Sequence, residues 1–194
     1  MSQERRDLTL YARLSRLGAG PDSPRVVRTL VEIPKGSCNK YEMDEETGLI
    51  RLDRNLSTSN VYPGDYGFIP GTLSEDGDPL DVLIAVNEPT FPGCLIDARV
   101  IGVFFMVDGG DGDEKIIAVP NRDPHFAEIT DIGDMPAHFK RHVEHFFMTY
   151  KELEGGDTAS RGWGDREAAR KIVVEALASY AAKALEGRDA PAAI

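Results

Sequence analysis

Apolar and polar positions along the chain fall into two regimes. Up to about residue 120 the apolar residues come in short runs rich in β-branched and aromatic side chains, at 26–33, 40–43, 49–52, 81–86, 95–107 and 116–119. Runs of that length, bounded by turn-forming residues, predict β-strands. Segments 44–48 and 108–113 read as hairpin connections, the second long and rich in Gly and Asp, so the sheet is expected to be largely antiparallel. After residue 130 the period changes to that of a helix. Phe139, Val143, Phe146, Phe147 and Tyr150 share one stripe, with Asp134 placed to cap it and Pro136 in its opening turn. A second helix is expected from near Asp165, burying Ala168, Ala169, Ile172, Val173, Ala176, Leu177 and Tyr180. Strands first and helices last predict an α+β domain, and the strand count fits a small barrel with flanking helices.

The 194 residues suit a single domain at 25–194 behind an arm at 1–24. In the arm Arg5, Arg6, Arg13 and Arg16 are interleaved with Leu8, Leu10, Leu14 and Leu17 before a breaker-rich joint at 18–24, which predicts a short helical or disordered extension. A formal net charge of -11 argues against a nucleic-acid backbone or an anionic membrane as partner, because both attract basic surfaces. Acidity of this size suits cation binding and equally suits plain solubility. No apolar run approaches the roughly 20 residues of a membrane span, and no signal-peptide core follows Met1, so the chain reads as cytoplasmic. Cys38 and Cys94 have neither metal-ligand nor redox-motif spacing, and are expected as free thiols in a reducing compartment.

The densest chemistry is Asp76-Gly77-Asp78-Pro79-Leu80-Asp81, running straight into the apolar 82–86. On a strand Asp76 and Asp78 would share a face and Asp81 would point away. Gly77 permits unusual backbone angles and Pro79 fixes its own φ, so a turn between them can bring Asp81 back. Two ionised carboxylates about 4 Å apart repel by roughly 4 kcal/mol at an effective dielectric near 20. Converging three of them therefore needs cations or protons, and hard divalent metal is the better answer. The same residue types also make an ordinary polar turn. Asp108-Gly109-Gly110-Asp111-Gly112-Asp113-Glu114-Lys115 is a second acidic loop, by itself a solvated hairpin tip, but read with the first a partner in metal binding. A calcium-binding EF-hand fails on both, since Leu80 is fifth from Asp76 and Gly110 third from Asp108.

Basic and phenolic residues accompany the acids. Lys40 and Glu42 share one face of a predicted strand, which taken alone is a solvated outer face. With Arg54, Lys115 and Lys151 in an acidic chain, the pattern suggests a local anion clamp. Tyr62 and Tyr66 on a tight turn, and Tyr150-Lys151 at a helix end, carry donors that suit phosphate oxygens, although Tyr66 fits a core position equally well. His138 and His142 have zinc-like spacing without HExxH or a third ligand, so they, His125 and His145 are read as surface or subunit-contact residues.

In this order the pieces resemble the family I soluble inorganic pyrophosphatases, from about Val26 to the final helix. The most specific match is Asp76-Gly77-Asp78-Pro79-Leu80-Asp81-Val82. Supporting matches are Val31-Glu32-Ile33-Pro34, Lys40-Tyr41-Glu42, Asp53-Arg54, Tyr62-Pro63 with Tyr66-Gly67, Lys115 ahead of Ala118-Val119-Pro120, and Tyr150-Lys151. The resemblance implies a five-stranded antiparallel OB-like β-barrel with helices outside. It also implies hydrolysis of pyrophosphate to two orthophosphates by a metal-activated water, without a covalent intermediate, using several Mg2+ ions with Mn2+ as a substitute. By position, Asp76, Asp81 and Asp113 would hold the tighter metals, Asp108 would help bind metal arriving with substrate, and Glu42 and Glu32 would sit at the site's edge, with Glu42 counted among the metal residues. Asp78 would orient and deprotonate the attacking water. Lys40, Arg54, Tyr66, Lys115, Tyr150 and Lys151 would bind the phosphoryl groups, with Tyr62 supporting the pocket. The family commonly has an acidic residue where this chain has Gly109, which leaves Asp111 and Glu114 as substitutes. A homo-oligomer is implied as well, often a hexamer among bacterial members.

Two other readings use parts of the same sequence. Asp76-x-Asp78 also begins the motif of phosphatases that form an aspartyl phosphate, but Thr72-Leu73-Ser74-Glu75 precedes it where a hydrophobic strand is needed. A small barrel can also bind single-stranded nucleic acid, yet acidic loops on that face would repel a polyanion.

Overall fold

The computed structural model describes residues 16–189, so most of the expected arm lies outside the described residues. The strands are β1 (Val26–Ile33), β2 (Asn39–Asp44), β3 (Leu49–Asn55), β4 (Asp65–Phe68), β5 (Asp81–Ile84), β6 (Leu95–Asp108), β7 (Asp111–Pro120) and β8 (Thr158–Gly164). Helix α1 (Ala137–Thr149) precedes β8 and helix α2 (Arg166–Asp189) follows it. One mixed sheet runs β1-β4-β5-β7-β6-β8, and β1 also pairs with β6, so the pairing path returns to its first strand. β2 and β3 form a separate hairpin. The α+β class expected from the sequence is what the chain adopts.

Three expectations are corrected. The sheet is largely antiparallel as the hairpins predicted, but not the wholly antiparallel one that the resemblance implied, because β5 and β7 pair in parallel. The chain crosses from β5 to β6 through 85–94, and β7 then turns back from β6 into the place beside β5; such a parallel neighbour requires a long crossover. The 108–113 connection is not long: β6 and β7 are joined by Gly109 and Gly110 alone, with φ of 63° and 102°. Two successive positive φ values close a tight hairpin, and glycine adopts them without steric cost. Asp134 does not cap α1 either. It accepts from the backbone N–H of Thr130 and Asp131 and closes a capping box on the turn Ile132–Asp134, while Pro136 takes the cap position of α1 with no side-chain bond. A missing cap costs about 1 kcal/mol, little beside burying Val143, Phe146 and Phe147 at roughly 1.5–3 kcal/mol each.

Both faces of the sheet are covered, and strand alternation divides the core in two. Val82 and Ile84 of β5, with Ile116 and Ala118 of β7, belong to a cluster containing Ala169, Val173 and Ala176 of α2. Leu83 and Ala85, with Ile117 and Val119, belong to the other, containing Val143, Phe146 and Phe147 of α1. Burial on both sides is why 82–86 reads as a continuous apolar run instead of an alternating one. α2 starts where expected, with Asp165 Oδ1 accepting from Ala168 N at 2.9 Å.

β4 and β8 escaped the sequence reading. β4 has four residues and follows a Pro-Gly turn, and its Gly67 lies so close to β1 that a Cβ there would be 1.9 Å from the Leu30 carbonyl oxygen. Among the described strands β8 pairs only with β6, with exposed residues at its middle and no apolar alternation to announce it.

Candidate active site

The site grows from the end of the α1-side core. Asp113 and Lys115 are two apart on β7 and lie on the face of Ile117, and Asp81 lies on the face of Leu83 in β5. The parallel register pairs Val82 with Ile116 and sets Asp81 beside Lys115. Lys115 Nζ donates to Asp81 Oδ2 at 2.5 Å and also to Asp113 Oδ1. The ammonium lies 5.7 Å from the Tyr66 ring centroid and 5.9 Å from that of Phe147, within cation–π range.

A cleft of about 310 Å³ opens beside this bridge, lined by Glu32, Lys40, Glu42, Tyr66, Asp76, Asp78 and Asp81, with Tyr41, Met43, Glu45 and Pro79 among its other walls. The Asp-rich loop is shaped from within. Asp76 Oδ1 accepts from Asp78 N at 3.0 Å, and Ser74 N donates to Asp78 O at 2.8 Å. Gly77 has a φ of 94°, which suits a residue without Cβ. Buried Thr72 pins the loop at its base, accepting from Leu80 N and donating to Ile69 O. The turn that carries Asp76 and Asp78 to the same cleft as Asp81 is the one the Gly and Pro suggested.

Charged pairs surround the cleft. Lys40 pairs with Glu42, and with Asp53 at 3.2 Å. Arg54 Nη1 donates to Asp53 Oδ2 at 2.6 Å, and its Nε lies 3.0 Å from Glu154 Oε2. Lys151 pairs with Asp108, its Nζ 5.3 Å from the Tyr150 ring centroid. Buried Tyr62 packs on Tyr66 at 5.5 Å and on Phe146 at 4.7 Å between ring centroids. Thus Glu32, Lys40, Glu42, Tyr66, Asp76, Asp78 and Asp81 share the cleft, and Asp113 and Lys115 join through the bridge. Arg54, Tyr62, Asp108, Tyr150 and Lys151 are not among its lining residues. The rings of His138 and His142 stack on each other at 6.1 Å, apart from the cleft.

The titration directions describe a crowded acidic site. Burial opposes charge on Lys115, yet Asp81 and Asp113 hold it above the ordinary lysine range. Asp113 also moves up, because burial and the negative charges of Asp81 and Asp108 outweigh Lys115. One ammonium shared by two carboxylates explains why both members of that pair shift the same way. Burial raises Asp78, reinforced by Asp76, Asp81, Glu45 and Glu42. Glu32 is pushed up to about 8, chiefly by burial, against the Met43 N–H that it accepts at 2.6 Å. Burial also raises Tyr62, Tyr66 and Tyr150. For Lys40 and Lys151, burial is overcome by the carboxylates beside them, and both rise.

Among the described residues no three His, Cys, Asp or Glu side chains already form a metal cage. The donor set nonetheless fits a hard divalent ion: the carboxylates offer only oxygen, and those of Asp78 and Asp113 are raised by burial and, after it, by like charge that a cation would relieve.

Sequence reasoning gave no role to three carboxylates, one of which, Asp53, it quoted only within the Asp53-Arg54 match. Asp53 and Glu154 hold Lys40 and Arg54, and fully buried Asp65 accepts from Lys35 N, Thr90 N and Thr90 Oγ1, tying two loops behind β4. Asp53 stood beside Arg54 in the sequence and could have been read as its partner. Nothing local marks Glu154, whose partner Ser57 is 97 residues away.

The geometry defines an α+β protein whose cleft sets clustered carboxylates beside Lys40 and the buried Lys115. The inorganic pyrophosphatase family model matches residues 29–181. The chain is 50% identical over 157 residues to the inorganic pyrophosphatase of Halalkalibacterium halodurans, covering 81% of this chain and 96% of that protein. It is 47% identical over 167 residues to that of Nostoc sp., covering 86% and 98%. The crystal structure of inorganic pyrophosphatase from Thermus thermophilus superposes with a TM-score of 0.82 at 46% identity, covering 84% of this chain and 95% of that one. The chain belongs to the inorganic pyrophosphatase family.

Proposed function

We propose that this protein hydrolyses inorganic pyrophosphate to two orthophosphates by direct attack of water, with no covalent intermediate. The observation that carries the reading is Lys115, buried between Asp81 and Asp113 at the edge of a cleft lined by Asp76, Asp78 and Asp81. An anhydride of two phosphates repels a hydroxide nucleophile, so its hydrolysis calls for clustered cations on one side and a base on the other. Asp76, Asp81 and Asp113, with Asp108 and Glu42, are the residues to hold several divalent ions, and their oxygen donors suit Mg2+, with Mn2+ as a substitute. Such ions would neutralise the diphosphate and make a bound water more acidic.

The remaining work falls to the chain's own side chains. Asp78, raised above the ordinary aspartate range by burial and by four neighbouring carboxylates, is suited to take a proton from the attacking water. Lys40, Arg54, Lys115, Lys151, Tyr66 and Tyr150 supply N–H and O–H donors to the phosphoryl oxygens. Tyr62, packed on Tyr66, holds that phenol in place, and Glu32 holds the β2 backbone through Met43 N.

We read the returning path of β1, β4, β5, β7 and β6 as a five-stranded OB-like barrel, the single domain of residues 25–194 behind a short arm. No described helix is long and apolar enough to cross a membrane. By family habit we take the protein as a cytoplasmic homo-oligomer, a hexamer as in many bacterial members. The test is phosphate release from a panel of pyrophosphate, nucleotides and phosphomonoesters with magnesium present. Release from pyrophosphate that stops with chelator is expected; equal release from phosphomonoesters would overturn the reading.

A further inference from the structure

Arg54 sits on β3, in a hairpin that pairs with no other strand among the described residues, whereas Tyr150 and Lys151 directly follow α1. Two long-range ties join these parts. Glu154, in the turn Glu152–Glu154 just after Lys151, accepts from Ser57 Oγ at 3.1 Å through Oε1 and places Oε2 3.0 Å from Arg54 Nε. Asn60 Nδ2 donates to Thr149 Oγ1 at 2.8 Å, tying the same loop to the last residue of α1. Leu56, between Arg54 and Ser57 in sequence, is buried in the α1-side core.

From these contacts we infer that Glu154 is a positioning residue, which orients the Arg54 guanidinium toward the phosphoryl oxygens of a diphosphate. The inference rests on the proposed role of Arg54 in binding phosphoryl oxygens. A guanidinium carries five N–H donors in a fixed planar fork. Asp53 takes one Nη1 donor, and the Glu154 carboxylate lies 3.0 Å from Nε as an ion pair without hydrogen-bond alignment, so the remaining N–H donors are left for an anion and the guanidinium is held by charge at two points. A free arginine side chain loses much rotamer entropy on binding, and one already held loses less. Glu154 touches no substrate in this arrangement; its effect passes through Arg54.

The test uses the full-length, magnesium-saturated enzyme with a methylene-bridged bisphosphonate as a non-hydrolysable probe, measured by calorimetry, alongside kcat and KM for pyrophosphate. Glu154→Gln is expected to weaken probe binding about tenfold, the scale of one charge-assisted contact, and to raise KM more than it lowers kcat. Ser57→Ala should shift both in the same direction by less. In an Arg54→Ala background Glu154→Gln should add nothing, whereas in a Lys151→Ala background its full effect should persist. A merely structural Glu154 would weaken binding equally in both backgrounds, and that result overturns the inference, as does unchanged probe affinity in Glu154→Gln alone. If Arg54→Ala leaves probe affinity intact, Arg54 is no phosphate ligand and the role of Glu154 falls with it. If Arg54→Ala weakens binding while Glu154→Gln does not, only the positioning role falls.

Discussion

Lys115 Nζ donates to Asp81 Oδ2 at 2.5 Å across the only parallel strand pair among the described residues. The same ammonium also serves Asp113, and its side chain is 5% exposed. It is the charge that makes two carboxylates tolerable without metal, and in the proposed reaction it is also a donor for substrate.

Removing that charge leaves both carboxylates facing each other. Breaking a buried ion pair costs about 3–5 kcal/mol, and Asp81, at 30% exposure, argues for the lower end. Lys115→Met in chelator is therefore expected to melt about 6–12 °C below the parent, from about 3 kcal/mol in a chain of this size. Added magnesium should recover part of the deficit by taking over the carboxylates. Calorimetry with and without the ion checks both; equal melting temperatures in chelator would refute the bridge as a stabilising element.

Asp78 lies on an exposed loop and pairs with no cation among the described residues, so replacing it should leave the fold unchanged. Asp78→Asn keeps shape and removes the base. Phosphate release is expected to fall by roughly 10²–10⁴, the usual share of a general base, with KM within a few-fold. A rate close to the parent's would take the role away from Asp78.

Lys151 pairs with Asp108 and stands beside Tyr150. Lys151→Ala removes a charged donor worth roughly 1.5–3 kcal/mol, so KM for pyrophosphate should rise about tenfold or more, while magnesium binding, titrated without substrate, changes less. The reverse ordering would move Lys151 out of the anion clamp.

Glu32 carries a pH prediction for the metal-free protein. Its folded pKa is about 8 against an ordinary 4.5, with Asp81, Glu42 and Lys40 as its charged neighbours. Between those values the unfolded chain has released a proton that the folded chain retains, so stability falls as pH rises. The contribution is complete below the lower value and gone above the upper one. Urea midpoints in chelator should therefore decline from about pH 5 to about pH 8, and Glu32→Gln should flatten that slope. An unaltered slope in the variant would place the titrating group elsewhere.

Much of this was legible along the chain, because it is local. The Gly and Pro of residues 76–81 specify a turn that converges carboxylates, the stripe from Phe139 to Tyr150 specifies a buried helix face, and the run 82–86 specifies a strand covered on both sides. Those signals lie within a few residues of one another, where backbone geometry and side-chain periodicity act directly. Other features needed the folded chain. The parallel pairing that sets Asp81 against Lys115, the four-residue β4 held by Gly67, and the contact of Glu154 with Arg54 and Ser57 join residues far apart in sequence. Strand order and burial on both sheet faces decide such partners, and no local period records them.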